Sequence, residues 1–240
     1  MRWRFAPRWY WVLLTAALLP VFVSLGSWQW NRGQQRQATW DEFSRGDAAA
    51  DPVPASRLAQ MPRYARVQVE GRLDGERQFL LDNLSHAGAP GYQVLTVLEL
   101  AEGSHLLVNR GWVPFSGYRE QLPDVTLPEG SSGSELTLTG RLGGLPVAGL
   151  ASGRMAPAAA GNWPRVASFP AIEQLAEAYG QPLLPVVLLL DADSGHGFVR
   201  DWQAPGLPPE RHIGYAVQWW AFALLLVGLF VGFNLKRKDV

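Results

Sequence analysis

The chain has 240 residues, with 21 basic against 21 acidic side chains, no cysteine and 11 tryptophans. At 48% hydrophobic and 18% charged it is too apolar for a disordered chain, and zero net charge is unlike a dedicated nucleic-acid binder. Without cysteine, a disulfide framework, a zinc–thiolate site, an iron–sulfur cluster and thiol redox chemistry are all excluded.

Residues 1–8 form a short basic tail carrying Arg2, Arg4 and Arg8. No charged side chain follows until Arg32, so residues 9–31 are an uncharged run of 23, and a helix needs roughly 20 to cross a bilayer. Trp9, Tyr10 and Trp11 lie near one end and Trp28 and Trp30 near the other, where aromatic rings favour the headgroup layer. Pro20 is tolerated in such a span. A cleaved signal peptide is the competing reading. The apolar run is longer than a signal core and no small-x-small site precedes Trp28, so an uncleaved anchor is expected.

Residues 32–60 continue the helix past the bilayer, then break in a linker at Gly46–Pro54. From Tyr64 the period becomes two: Tyr64, Arg66, Gln68 and Glu70 alternate with Ala65, Val67 and Val69. Asp74-Gly75 is a hairpin signal, and Gln78–Asp82 reads as the return strand. Gly91–Leu100 and His105–Pro114 are two further strands joined by a second hairpin at Ala101–Ser104. Glu135–Leu142 and Leu184–Asp191 follow, and His196–Trp202 is expected as a short edge strand. One helix interrupts them at Pro170–Gly180, with Ile172, Leu175, Ala176 and Tyr179 on one face. The Pro/Gly/Ser-rich stretches at 123–134 and 144–164 are loops. Short strands with tight turns predict a mainly antiparallel β domain, closed toward a small barrel, over 32–212.

Residues 213–235 are a second uncharged run of 23, followed by Lys236, Arg237 and Lys238 in the tail 236–240. Both outer tails are basic, so the positive-inside rule places both in the cytoplasm. With the six basic tail residues and Asp239 set aside, 15 arginines, no lysine and 20 acids remain, a net charge of −5. The fold class expected is a membrane protein, with two transmembrane helices around a β-rich extracytoplasmic domain.

Little catalytic chemistry is visible. His86, His105, His196 and His212 share no metal-ligand spacing, and only Met61 and Met155 accompany Met1, a poor set for Cu(I). No nucleophile elbow, phosphate loop or dinucleotide fingerprint occurs. Asp191, Asp193 and His196 lie in a stretch that reads as a solvated turn. His212 stands just before the second span, and on a helix Tyr215, Ala216 and Trp219 share its side. Two readings stand for it: an axial ligand to haem iron, or an interfacial residue anchoring a helix end. Trp28, Gln29, Arg32 and Arg36 close the first span, where arginine could pair with haem propionates or the group could simply cap the helix. Asn109-Arg110-Gly111-Trp112 is a polar break in an apolar strand. It is either a bulge aiming Arg110 toward the membrane face or an ordinary strand with one outward arginine.

Three blocks taken together resemble the signatures of the SURF1 family, the cytochrome c oxidase assembly proteins. They are Gly26-Ser-Trp28-Gln29-Trp-Asn-Arg32, Leu107-Val-Asn109-Arg110-Gly111-Trp112-Val113-Pro114 and Arg211-His212-Ile-Gly-Tyr215-Ala216-Val-Gln218-Trp219. The family's first block commonly carries a basic residue, often lysine, four after its arginine; Arg36 keeps that charge. Nothing carries over to 123–164. The resemblance implies an assembly factor for haem-copper oxidases, acting on the catalytic subunit, with haem a synthase as a further partner. It implies haem a at His212, no copper or zinc, and no catalytic turnover. It also implies a bacterial inner membrane with the central domain in the periplasm, and the lack of an evident organellar targeting segment before Trp9 agrees. An interaction protein that stabilises oxidase intermediates without a cofactor is the alternative. A membrane-anchored enzyme is a third, and would need a cleft near Asp191, Asp193 and His196.

Overall fold

The structure, a computed structural model, describes residues 3–45, 50–147, 153–158, 161–204 and 206–237. The first two and last three tail residues, part of the linker at 46–49 and parts of the 144–164 loop lie outside the described residues. In chain order the elements are β1 (Trp3–Phe5), α1 (Trp9–Arg45), β2 (Asp51–Pro52), α2 (Ala55–Leu58), β3 (Arg66–His86), β4 (Ala89–Leu100), β5 (His105–Pro114), β6 (Glu135–Gly143), β7 (Arg165–Ala167), α3 (Ile172–Tyr179), β8 (Leu183–Leu190), α4 (Pro209–Asn234) and β9 (Leu235–Arg237). They fall into two compact units: Met1–Asp41 with Ala204–Val240, and Glu42–Gln203.

The first unit is a helical hairpin. At 37 residues, α1 is roughly 55 Å long against a hydrocarbon core of about 30 Å, so it runs on past any bilayer it crosses. α4 lies antiparallel to it. Trp11 stacks on Phe233 at 5.2 Å, and Phe22 meets Trp219 at 5.8 Å and Phe222 at 6.0 Å. The most apolar window of each helix has a mean hydropathy of 1.8 or 2.0, yet only 11% of each is buried. A core helix of a soluble protein would be mostly buried. Both helices are long and apolar enough to cross a membrane, and they are consistent with a two-span membrane protein. The start of α1 and the end of α4 are tied by Asn234, which is fully buried. Its Oδ1 accepts from Arg8 N at 2.9 Å, its carbonyl from Ala6 N at 2.9 Å, and its Nδ2 donates to Phe230 O at 2.7 Å. β1 and β9 then pair antiparallel.

The second unit is a mostly antiparallel sheet. β3 pairs with β4, β4 with β5, β5 with β8, β8 with β6, and β6 returns to β3, so the ladder closes on itself. The β5–β8 pair is parallel, which the long crossover through α3 permits. One face of the ring carries Val67, Val69, Leu98, Leu100, Leu106, Val108, Leu138, Leu142, Leu188 and Leu190, contributed by all five strands. The other carries Phe79, Leu81, Leu95, Val97, Leu107 and Val187, covered by Leu175 and Tyr179 of α3. Apolar residues on both faces explain why β4 and β8 are near-continuous hydrophobic runs rather than alternating ones. α3 ends at Gly180, whose φ of 86° puts it in the left-handed conformation that closes a helix.

Two expectations are corrected here. Asp74-Gly75 makes no hairpin: β3 runs through it. Between the pairs Leu73↔Leu98 and Gln78↔Thr96 the strand β3 advances five residues while β4 advances two, so residues 74–77 form a large bulge. Asp74 folds it locally. Its Oδ1 accepts from Glu76 N at 3.0 Å and Arg77 N at 3.1 Å, while its Oδ2 takes Arg77 Nε at 2.8 Å and the Tyr179 hydroxyl at 3.0 Å. The real hairpin joins His86 to Ala89 through Ala87 and Gly88, both at positive φ, 49° and 81°, as a two-residue type I′ turn demands. The edge strand expected at His196–Trp202 is also absent; Val199 alone bridges to Trp112. The Arg200 side chain curls back to donate to Phe198 O at 3.0 Å and Ser194 O at 2.8 Å, so that Phe198 O is taken by a side chain and not by a neighbouring strand.

Candidate functional site

The end of the helical hairpin away from the Arg8–Asn234 contact brings two of the sequence blocks together. Gly26, Gln29 and Gly33 are spaced three and four apart, so they share one face of α1. A Cβ at Gly26 would collide with the Trp220 indole, and one at Gly33 would sit 3.2 Å from Ile213 Cγ1 and 3.4 Å from His212 Cβ. Such small residues let two backbones approach closely. Between these contacts, His212 Nδ1 lies 2.8 Å from Gln29 Oε1. An amide oxygen only accepts, so with Gln29 Oε1 facing it Nδ1 is the donor, and in the neutral imidazole the lone pair is then on Nε2. An imidazole with Nδ1 engaged and Nε2 open is the form that ligates a metal through Nε2. The donor chemistry of His212 therefore fits an axial haem ligand.

The other expected residues distribute around this pair. Trp28 is 57% exposed and Tyr215 48% exposed. Arg32 is exposed and donates to Gln35 Oε1 at 3.2 Å. Gln218 is exposed as well. Trp219 is half-buried and is held against Phe22, with Phe222 edge-on at 5.8 Å. Arg36 lies on the Gly33 side of α1, its guanidinium against Gly206. Trp220, expected only as one of the rings marking the border of the second span, is the residue that Gly26 makes room for. The signal was present in the Gly26–Gly33 spacing with a polar residue between.

The remaining block does something else. β5 advances three residues between Asn109 and Trp112 while β4 advances two between Leu95 and Gln93, so a bulge does fall at Arg110-Gly111. Gly111 takes φ of 109°, and a Cβ there would lie 2.6 Å from Val199 O. Arg110, however, points neither toward a membrane face nor outward. It is 1% exposed, inside the sheet unit. Its Nη1 donates to Gln78 Oε1 at 2.7 Å and Val125 O at 2.9 Å, its Nε to His196 O at 2.7 Å and its Nη2 to Thr126 O at 3.4 Å. The guanidinium also lies 4.9 Å over the Phe198 ring. Burial pushes its pKa down to about 10, with Arg200 adding to the effect, so it stays charged at neutral pH. The reason for the inward turn is parity. Arg110 continues the face of Leu106 and Val108, and Gln78 and Thr96, themselves bonded at 2.7 Å, meet it there. Asn109 supports the bulge, donating to Gln93 Oε1 at 2.8 Å and accepting from Gly111 N at 3.1 Å. Trp112 donates to Leu84 O at 3.2 Å and packs against His86 at 5.3 Å. One buried arginine thus fastens the 125–126 and 196–199 segments to β5.

Asp191 is paired with Arg66 at 2.7 Å, and His196 Nδ1 lies 3.2 Å from Ser131 Oγ. Among the described residues no group of three or more His, Cys, Asp or Glu is gathered for a metal ion.

The sequence profile of the SURF1 family matches residues 16–224. The chain belongs to the SURF1 family. None of the curated proteins compared with it matches. The match takes in the sheet unit and most of both apolar helices, and the family is associated with assembly of cytochrome c oxidase.

Proposed function

We propose that this SURF1-family chain is a membrane-anchored assembly factor that holds haem a during maturation of the oxidase catalytic subunit. The observation that carries the reading is the Gln29–His212 bond at 2.8 Å, which leaves Nε2 as the coordinating nitrogen. His212 would hold the iron, Trp28, Tyr215 and Trp219 would border the macrocycle, and Arg32 would meet a propionate through its planar fork. Haem a bound there would supply the metal centre that is later needed by the oxidase; the chain would hold it and exclude water, with no turnover of its own. No copper or zinc site is assigned. Both tails lie in the cytoplasm of a bacterial inner membrane and the sheet unit lies in the periplasm, its five strands forming a small barrel. The oxidase catalytic subunit and haem a synthase are the partners.

The test is co-expression with haem a synthesis, followed by purification in detergent. The full chain carries haem a by its absorption spectrum, and His212→Ala loses or alters that spectrum. An unchanged spectrum and haem content in the variant would remove His212 as ligand. A haem-free chain that co-purifies with the oxidase would replace the reading with cofactor-free stabilisation of oxidase intermediates.

A further inference from the structure

We infer that Gln29 is a positioning residue for His212: it fixes which imidazole nitrogen is free, and the glycines on either side of it set the helix spacing that makes this possible. The argument begins with reach. A glutamine on one helix meets a histidine on its neighbour only where the backbones run close. Gly26 and Gly33 provide that closeness one turn before and one turn after Gln29, the first under Trp220 and the second against Ile213 and His212 Cβ. A side chain at Gly26 would have to displace the Trp220 indole, and one at Gly33 would press on Ile213 and His212 by a few tenths of an ångström.

The second step is the choice of acceptor. A neutral imidazole free in water favours the proton on Nε2, the opposite of what a ligand binding through Nε2 needs. The Gln29 oxygen at 2.8 Å reverses that preference by accepting from Nδ1. It is an acceptor that carries no charge, so it can lie between two apolar helices without the cost of an unpaired carboxylate. In such surroundings a single polar contact between helices counts for more than it does in water. The half-buried setting of both side chains also restricts ring rotation, so direction and tautomer are fixed together.

The third step is tuning. A partner on the second ring nitrogen governs how strongly the first donates to a metal. Glutamine leaves the imidazole a neutral, moderate donor. A carboxylate at the same place would draw the proton more strongly and lower the reduction potential of a bound haem.

This inference deepens the haem-ligand reading and rests on it for one of its two experiments. The first needs no haem. In full-length protein labelled with 15N-histidine, in micelles at about pH 8, the His212 resonances are identified by their loss in His212→Ala. They show the Nδ1-protonated form in the wild type and in Gln29→Glu, and lose it in Gln29→Leu. The second uses chain loaded by co-expression with haem a synthesis. Gln29→Leu retains haem about 10- to 100-fold more weakly, whereas Gln29→Glu retains it with a more negative midpoint potential. A wild-type His212 protonated on Nε2, or one unaffected by Gln29→Leu, overturns the inference. Equal haem retention and spectrum in Gln29→Leu and wild type overturns it while leaving His212 as ligand. The expected tautomers with no haem in the wild type sustain the positioning role and overturn the haem reading.

Discussion

Arg110 is the most demanding residue in the sheet unit, because its charge is buried among neutral acceptors. Replacing it with methionine keeps much of the volume and removes every bond. Two acceptors survive the change: Val125 O still receives Gln78 Nε2 at 2.9 Å, and Gln78 Oε1 still receives the Thr96 hydroxyl at 2.7 Å. His196 O loses its donor at 2.7 Å and Thr126 O its longer one at 3.4 Å. The three short bonds, each made to a charged group, contribute about 1.5–3 kcal/mol apiece. Against them stands the burial of the charge, which with Arg200 nearby holds the pKa down at about 10 and costs roughly 3 kcal/mol. The balance is a loss of about 3 kcal/mol, or roughly 100-fold in a local opening equilibrium.

Hydrogen exchange on the full chain in detergent reads this directly. Phe198 N donates to Arg110 O at 2.7 Å and Val199 N to Trp112 O at 3.2 Å, so both amides report whether the segment stays on β5. They exchange roughly 100-fold faster in Arg110→Met. Arg110→Lys does no better, since it keeps a buried charge and one ammonium cannot replace a fork that reaches two loops. Unchanged exchange at Phe198 and Val199 in Arg110→Met would refute the reasoning. The pH dependence has a definite sign. Below about pH 10 the group is protonated folded and unfolded, so its contribution is flat through the physiological range. The burial penalty is relieved only as pH climbs from there toward the ordinary arginine value.

Two other outcomes follow from the same contacts. Burial raises the Asp74 pKa, but the bonds from Arg77 and Tyr179 outweigh it and hold the carboxyl below its ordinary 3.8. Its contribution is therefore present above that value and lost as pH falls through the depressed one, and Asp74→Asn flattens this acid limb in urea midpoints taken from about pH 5 downward; an acid limb of the same slope in the variant would show that Asp74 is not its source. For topology, a reporter active only outside the cytoplasm works when fused within 120–135 and fails when fused at the C-terminus, and the reverse result would overturn the charge argument for orientation.

How far the sequence could be read follows from the range of the interaction responsible. The two apolar helices are legible because the absence of charge over 23 residues is a local property, and β4, β5, β6 and β8 begin and end within a residue or two of their pattern. Asp74-Gly75 misleads because the same Asx chemistry that opens a hairpin also folds a bulge; what decides is Tyr179, 105 residues away, which claims the carboxylate for α3. The hairpin at Ala87-Gly88 is hidden because alanine gives no turn signal. Arg110 reads as a surface residue in any local window, since only the register of β4 against β5 and the position of Gln78 show that its acceptors converge inside the ring.

The hairpin site shows the same limit more sharply. Helical period correctly groups His212 with Tyr215 and Trp219 on α4, but the partner that fixes its imidazole comes from α1, 183 residues earlier. The blocks at 26–32 and 211–219 are far apart in sequence for a simple physical reason: a ligand made by crossing helices needs one polar residue on each and small residues to bring them together. The middle block answers a different need. With Asn109 shaping the bulge, Gly111 clearing Val199 and Arg110 binding two segments from within, its residues build the sheet unit rather than line the hairpin. Substitutions there should therefore act through stability, and those at Gln29 and His212 through the state of one imidazole. Hydrogen exchange in the sheet and histidine resonances in the hairpin separate the two effects.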